Sequence, residues 1–301
     1  MLLGLIGVLC FSLTLPATRV AVAELDGTVV GLGRAIVAGL LAAALLVIRR
    51  ERRPSRDQVR SLFVVGFGVV VGFPLLSALA LTSVPAAHGA VVVGLLPLST
   101  ALMAVVRGRE RPGGAFWLAT AVGVGVVLVF GLTIGAGQLQ PADLLLVGAV
   151  VAGGLGYAEG GRLAREMDGW RVICWALVLV APLIVVPVGV AVASHGIAAS
   201  AAAWLSFAYV SVVSMFLAFF AWYQGLAEGG IARVGQLQLL QPVLTLGWAV
   251  LLLHESVGLT TLAAALGIMA TVAVGRRSVV RTVPATASPG GGVASASSGE
   301  A

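Results

Sequence analysis

The segment from residue 236 to residue 248 contains the polar side chains best suited to bind a small polar molecule. Within this otherwise apolar stretch, Gln238, Gln241, Thr245 and Trp248 follow one another at steps of three, four and three residues. That spacing places them on one face of a helix. Amides donate and accept hydrogen bonds, and an indole gives a flat apolar wall with one donor. We expect this face to line a substrate cavity; the alternative is that its glutamines bond neighbouring helices.

Two prolines interrupt predicted helices at corresponding places in the chain. Pro242 follows Gln241 directly, and Pro97 lies in an earlier apolar segment. A proline removes one backbone donor and leaves a carbonyl one turn earlier without its usual partner. The two prolines therefore predict kinks in helices that move, or carbonyls available to a polar substrate. The alternative is a pair of static kinks.

Two serines and a glutamate are further candidates. Ser211 and Ser214 can share a helix face with Trp222, although the aromatic residues at 222 and 223 also suit an interfacial belt. Glu159 is a carboxylate at membrane depth and is a candidate proton relay for proton-coupled transport. The alternative is a structural ion pair with Arg162, one turn further along. Other positions that could add polarity or a bend to the cavity are Ser12, Thr14, Pro16, Pro74 and Ser77.

Charged residues near predicted helix ends are expected to be structural. His88 and Arg233 both lie near such ends and suit side chains that reach the membrane interface. Glu110 and Glu255 each come just before a predicted helix, where the positive end of the helix dipole stabilises a carboxylate. We therefore predict no direct contact with substrate for these four.

The amino-acid composition indicates that most of the protein surface does not face water. Of the 301 residues, 59% are hydrophobic and only 10% are charged, and the mean hydropathy is +1.09. A soluble domain has about 25% charged residues, so lipid is the expected surrounding. The net charge of +6 does not indicate nucleic-acid binding, because the basic residues form short clusters between apolar runs. Cys10 and Cys174 lie in separate apolar runs without a nearby His, so neither a metal nor a cofactor is expected.

Ten apolar runs are long enough to be transmembrane helices, which need about 20 residues each. The fold class is therefore an all-α integral membrane protein. Pro85 suits the first turn of a helix after the tight turn at Thr82. The predicted spans are 2–20, 28–48, 61–81, 86–106, 114–132, 142–161, 172–193, 203–225, 231–253 and 258–275.

The arginines indicate how these spans are oriented. All 18 basic residues are arginine, and only Arg19 and Arg34 lie outside the even-numbered loops and the C-terminal tail. Cytoplasmic loops of membrane proteins have an excess of basic residues. We therefore predict a multi-pass protein of the cell membrane with both termini in the cytoplasm. Residues 278–301 are small, polar and rich in Pro and Gly, which predicts a disordered cytoplasmic tail.

The two halves of the chain resemble each other. Residues 80–110 align without gaps on residues 225–255, so that Pro97 falls on Pro242 and Glu110 on Glu255. Each half contains five spans, and an odd number makes consecutive copies enter the membrane from opposite sides. We predict two inverted five-helix repeats, residues 1–132 and 133–277, which is a common transporter design.

These features resemble the EamA domain pair of the drug/metabolite transporter superfamily. In both halves a small-residue turn leads to a helix with a mid-span proline, a glutamate and one last helix. Arg34, in GRAIVAGLLAAALLVIRR, also resembles the second helix of that family. The first helix differs, because Phe11-Ser12 stands where members often have Trp-Gly. The resemblance implies ten helices around a central cavity and the movement, often export, of metabolites, amino acids or drugs.

The prediction is therefore a secondary transporter of a small-molecule substrate that works by alternating access within membrane lipid. No ATP-binding loop of the type GxxxxGK[ST] is present in the sequence. Two alternatives of other classes are a lipid flippase or non-transporting scaffold of the same fold, and an intramembrane enzyme. HExxH and GxSxG motifs are absent from the sequence, which disfavours the enzyme. A homodimer stays open as an oligomeric state.

Overall fold

The computed structural model describes residues 1–108, 114–134, 137–229, 234 and 236–277. Within these residues the chain forms ten apolar helices and no strand, which confirms the predicted fold class. The helices are α1 Leu2–Val22, α2 Val29–Ile48, α3 Arg56–Ala80, α4 Ala86–Val106, α5 Gly114–Ile134, α6 Pro141–Leu163, α7 Gly169–His195, α8 Ala201–Gly229, α9 Leu237–Leu253 and α10 Leu259–Arg277. Eight of them have the length and hydropathy of a membrane span, and α9 and α10 are shorter apolar helices. Predictions about Arg109, Glu110, Arg111, Arg233 and the tail 278–301 lie outside the described residues.

Caps extend several helices beyond the apolar runs that predicted them. Ser55 and Gln58 form a capping box, so α3 begins at Arg56 rather than at the predicted residue 61. Asp143 accepts a hydrogen bond from the Gln140 backbone N–H at 2.9 Å, at the start of α6. Ser200 caps α8 by accepting from the Ala203 N–H. Such caps satisfy backbone donors that have no partner in the first turn of a helix.

Large apolar side chains cover the outside of the helix bundle. Exposed examples on separate helices are Leu40, Val106, Leu128, Val186, Leu205, Leu251 and Leu259. Charged or polar residues would occupy such positions in a water-soluble protein. A helix of about 20 residues is about 30 Å long, which matches the hydrocarbon thickness of a bilayer. The chain is therefore a multi-pass membrane protein.

Matching irregularities mark the two repeats. A π-helical stretch interrupts α3 at Gly66–Gly72 and another interrupts α8 at Tyr209–Leu217. The backbone of α4 breaks at residues 94–95, and a 3₁₀ turn at Gln236–Leu239 precedes the α-helical part of α9. The two members of each pair lie at corresponding positions when the repeats are aligned so that Pro97 falls on Pro242.

The packing of the helices follows the same symmetry. Helix α2 packs against α7, α4 against α9, and α5 against α10. Helix α1 packs against α8, and α6 packs against α3 in the corresponding way. Each of these pairs joins one repeat to the other, so the interface between the repeats runs through the centre of the bundle.

Loops at the two ends of the bundle differ in charge. At one end, called here the arginine-rich face, Arg171 bonds Glu51 at 2.9 Å and connects the loop after α2 to the start of α7. At the opposite face, Arg19 in the last turn of α1 donates to the Thr82 carbonyl in the loop after α3 at 3.1 Å. The loop after α2 and the start of α7 therefore share one face, and the end of α1 and the loop after α3 share the other, as alternating membrane spans require.

Candidate functional site

A small cavity lies at the centre of the bundle, among α1, α2, α3, α6, α8 and α9. Its volume is about 20 Å³, which is room for about one water molecule. Its polar lining residues are Thr14, Arg34, Tyr157, Ser214 and Gln241, and the remaining lining residues are apolar or aromatic. Both repeats contribute polar groups, so a molecule bound here would contact both halves of the protein.

Arg34 is the charged residue among those that line this cavity. Its side chain is only 1% exposed, and its Nε has no hydrogen-bond partner. Within the described ranges the guanidinium forms neither a hydrogen bond nor an ion pair. Arg34 lies in the second turn of α2, and a buried arginine in a membrane helix costs free energy, up to about 2.5–3.5 kcal/mol at the helix centre on insertion scales. No contact within the described protein compensates this cost.

Arg34 comes directly after the π-helical stretch Val29–Gly33 of α2. Gly31 allows α2 to approach α3 closely in this stretch, because a Cβ there would lie 2.8 Å from the Leu75 Cα. From the sequence alone, Arg34 contributes to a family resemblance and is not a predicted site residue. A single arginine inside a long apolar run was the signal that could have identified it.

Aromatic rings form one wall of the cavity. Phe11 and Phe219 pack edge to face with ring centroids 5.0 Å apart, and Tyr157 lies 6.0 Å from Phe219. Trp222 completes the cluster, 5.6 Å from Tyr157. Trp222 and Tyr223 are both buried, so the interfacial belt considered for them is wrong. The Tyr157 hydroxyl makes no hydrogen bond to any described residue.

Of the two predicted serines, Ser214 lines the central cavity and Ser211 does not. The hydroxyls of Ser214 and Thr14 lie 2.7 Å apart and connect α8 to α1 across the cavity wall. Ser211 instead donates to the Phe207 carbonyl within its own helix, at 2.6 Å. Ser214 lies in the π-helical stretch of α8, and π turns are frequent at functional sites. Thr14 and Ser214 can each exchange their mutual bond for one to a ligand.

Two glutamines of α9, Gln238 and Gln241, border cavities in the bundle. Gln241 lines the central cavity and also a smaller one of about 10 Å³ between α4 and α9. Gln238 lines the smaller cavity and is 2% exposed. Neither amide atom of Gln238 has a hydrogen-bond partner. Two buried amides are therefore available at the interface between the repeats.

Thr245 and Trp248 bond the protein itself. The Thr245 hydroxyl donates to the Ser12 carbonyl at 2.8 Å, and the Trp248 indole donates to the Ser12 hydroxyl at 3.0 Å. Thr245 borders the smaller cavity, and Trp248 lines neither. This end of the predicted polar face therefore holds α9 against α1.

The two predicted prolines meet at the smaller cavity. Pro97 and Pro242 both line it, and a Cβ at Gly94 would lie 3.3 Å from the Pro242 Cγ. The symmetric positions differ in chemistry, because Gln238 and Gln241 correspond to Val93 and Leu96 of the first repeat. The repeats thus share their bends but not their polar groups.

Glu159 lies away from the central cavity, towards the arginine-rich face. It is 2% exposed, and Arg162 donates to its Oε1 at 2.9 Å. Arg162 also donates to Ser61 at 2.9 Å and to Glu166. This cluster connects α6 to α3.

Polar contacts join the loops of the opposite face. Glu24 accepts from the Ser200 backbone N–H at 2.6 Å and from its hydroxyl at 2.7 Å. These hydrogen bonds lower the pKa of the Glu24 carboxyl, chiefly through the Ser200 side chain. The two oxygens of Glu255 accept from the backbone N–H groups of Ala86 and Ala87, each at 2.8 Å. Glu255 therefore caps α4, whereas the sequence predicted that it stabilises the N-terminus of the helix that follows it in the chain.

His88 is buried at this face rather than at the membrane interface. Its Nε2 lies 2.6 Å from Asp143 Oδ1, and its ring packs 4.9 Å from that of Phe130. The described residues contain no group of three or more His, Cys, Asp or Glu side chains arranged to hold an ion.

Comparison with known proteins agrees with this architecture. The model of the EamA-like transporter family matches residues 1–132 and 140–275. The chain is 48% identical over 274 residues to the uncharacterized transporter YdeK of Bacillus subtilis (strain 168), covering 91% of this chain and 96% of that protein. A solved structure described only as a crystal structure of a protein matches with a TM-score of 0.63 at 20% identity. That match covers 91% of this chain and 96% of the other and shows the fold alone.

Proposed function

The chain belongs to the EamA-like transporter family, and from this premise we propose that it moves a small polar molecule across the cell membrane by alternating access. The carrier is secondary, driven by a gradient, and exports a metabolite, an amino acid or a drug. The binding site is the central cavity.

One observation supports this site above others. Arg34, Tyr157 and Gln241 border one cavity, and the buried Arg34 Nε has no hydrogen-bond partner in the described part of the chain. Buried polar groups are nearly always paired in folded proteins. An unpaired guanidinium nitrogen beside a phenol and an amide is expected where a polar ligand completes the hydrogen bonding.

The architecture supports alternating access to the two sides of the membrane. The cavity lies between two inverted repeats, and such repeats can rock against each other around a fixed site. Contacts between Glu24 and Ser200 join the repeats at the opposite face. Opening towards that face requires these contacts to break, and the bends at Pro97 and Pro242 lie where α4 and α9 cross.

The site also favours a polar cargo over a lipid. Lipid translocation needs a groove that is open to the bilayer along its length. The central cavity is surrounded by six helices and has a volume of about 20 Å³. It must widen to accept any cargo, and it does so between the repeats.

The test is transport by the purified protein in proteoliposomes. Candidate metabolites, amino acids and drugs are screened for uptake, with and without a pH gradient. The Gln241→Ala variant is expected to lose at least about 90% of the flux of any compound found, because a buried hydrogen-bonding group is worth about 1–3 kcal/mol. Its amount in the membrane should not change.

Gln224→Ala is the matched control. Its amide bonds Glu228 near the arginine-rich end of α8, outside the cavity. Full flux in this variant with lost flux in Gln241→Ala supports the cavity as the path. Equal flux in both variants would place the path elsewhere.

A further inference from the structure

The central cavity combines one cation with an aromatic wall. Arg34 is the charged group in its lining, opposite no carboxylate among the lining residues. Phe11, Tyr157 and Phe219 supply the wall. A buried arginine that serves the fold is normally paired with a carboxylate or a set of carbonyls. Arg34 has neither within the residues that the structure describes.

We propose that the cargo is a small organic acid whose single carboxylate binds the Arg34 guanidinium and whose apolar part packs against Phe11, Tyr157 and Phe219. This inference rests on the proposed transport function and specifies its substrate class. A guanidinium presents its N–H donors in a planar fork that matches the two oxygens of a carboxylate. The cargo thereby supplies the partner that the protein does not.

Charge balance favours a carboxylate over a phosphate ester. A phosphate ester has a charge of about −1.5 to −2 at neutral pH, whereas the cavity lining contains one arginine as its charged side chain. Binding a dianion here would leave net negative charge in a medium of low dielectric constant, which is costly. A carboxylate leaves the loaded cavity neutral.

The remaining polar groups fit the same class. Thr14 and Ser214 can rotate their hydroxyls to donate, and the Gln241 amide can donate or accept. These groups can hold a second polar substituent, such as a hydroxyl or an amide, without adding charge. Arg34 sets the requirement for an acid, and these uncharged groups select among acids.

Binding is tested with probes that share one ring and differ in one substituent: benzoate, benzamide, benzylamine and phenyl phosphate. Each is titrated into the detergent-solubilised full chain, and the thermal unfolding midpoint and tryptophan fluorescence are followed. Benzoate should bind and raise the midpoint. Benzamide and benzylamine should bind at least about tenfold more weakly, because they lack the charge-assisted bond. Phenyl phosphate binding as tightly as benzoate would overturn the preference for a monoanion.

Two variants at residue 34 separate a ligand role from a structural one. Arg34→Met should abolish the preference for benzoate over benzamide and should leave the unfolding midpoint unchanged or higher, since an apolar side chain replaces an unpaired buried charge. Arg34→Lys should keep a weaker preference, because an ammonium lacks the planar fork. A lower midpoint for both variants with the preference intact would overturn the proposal. Arg60→Gln, an exposed arginine of α3, is the control for a general change of charge.

A transport assay distinguishes the failure of this inference from the failure of the proposed function. Labelled benzoate and benzylamine are offered separately to proteoliposomes with wild-type protein, with Arg34→Met and with Gln241→Ala. We expect flux of benzoate and not of benzylamine, and we expect the benzoate flux to be lost in Arg34→Met. Flux of benzylamine but not of benzoate, lost in Gln241→Ala, would show that the cargo is not an organic acid. The proposed transport function would still hold in that case. If neither probe moves and benzoate also fails to bind, the substrate class is wrong.

Discussion

Arg34 and Glu159 are both charged side chains within apolar helices, and they differ in what neutralises them. Arg162 donates to Glu159 at 2.9 Å and also bonds Ser61 and Glu166, so this cluster connects α6 to α3. The described chain offers Arg34 no such partner. A charge that is paired within the protein contributes to the fold, whereas an unpaired one is available to a ligand.

Glu159 is expected to act mainly through that ion pair. Glu159→Gln should destabilise the protein by about 1–3 kcal/mol, because Arg162 loses a buried charged partner. Any response of transport to a pH gradient should remain. The measurements are unfolding in detergent and flux with an imposed gradient. Glu166→Gln, which alters an exposed partner of the same arginine, should have a smaller effect. Loss of the pH response in Glu159→Gln alone would instead identify Glu159 as a proton relay.

At this scale, spacing in the sequence was sufficient to predict part of the lining of the two cavities. The steps between Gln238 and Trp248 placed four residues on one face, and Gln238 and Gln241 do border cavities. The same spacing could not show that Thr245 and Trp248 bond Ser12, since that depends on how α9 packs against α1.

At the scale of single helices, the interruptions of α4 and α9 have a marker in the sequence and the π-helical stretches do not. The α-helix is interrupted shortly before Pro97 and before Pro242, as expected where a proline removes a backbone donor. The stretch Gly66–Gly72 of α3 has no such marker. It packs where a Cβ at Gly68 would lie 2.6 Å from the Ala152 carbonyl oxygen, so the fit of α3 against α6 decides the backbone there. Contacts between elements of this kind cannot be inferred from the local sequence.

Glu255 provides a test of how one repeat supports a helix of the other. Its carboxylate accepts from two N–H groups at the start of α4. Glu255→Gln should destabilise the protein by about 0.5–2 kcal/mol, because the charged cap is lost at a helix N-terminus. Thermal unfolding in detergent measures the change. Glu228→Gln, at an exposed glutamate near the end of α8, should be close to wild type; equal effects of the two changes would rule out a specific cap.

For the whole molecule, composition and the arginine pattern were sufficient to predict an all-helical membrane protein with ten helices. Apolar runs long enough to cross a bilayer are compatible with few other folds, because backbone groups in lipid must be hydrogen-bonded within the chain. The size of the cavity could not be predicted in this way. It depends on side chains from six helices that come together only in the folded bundle.

We expect the arginine-rich face to be cytoplasmic, with both termini on that side. A fluorescent protein fused to either end should be bright, and a periplasmic reporter such as alkaline phosphatase fused there should be inactive. The phosphatase inserted in the loop at residues 196–200, between α7 and α8, should be active. Reporters at the two ends that indicate different sides of the membrane would contradict ten spans.

The bends at Pro97 and Pro242 are shared by the two repeats, whereas the amides of Gln238 and Gln241 belong to one. If the two repeats were chemically identical, an asymmetric molecule would bind equally well in either of two orientations related by the twofold axis. Here valine and leucine occupy the mirrored positions, Val93 and Leu96. In the proposed complex the cargo therefore has one favoured orientation, with its carboxylate at Arg34 of the N-terminal half and its second polar group near Gln241 of the C-terminal half.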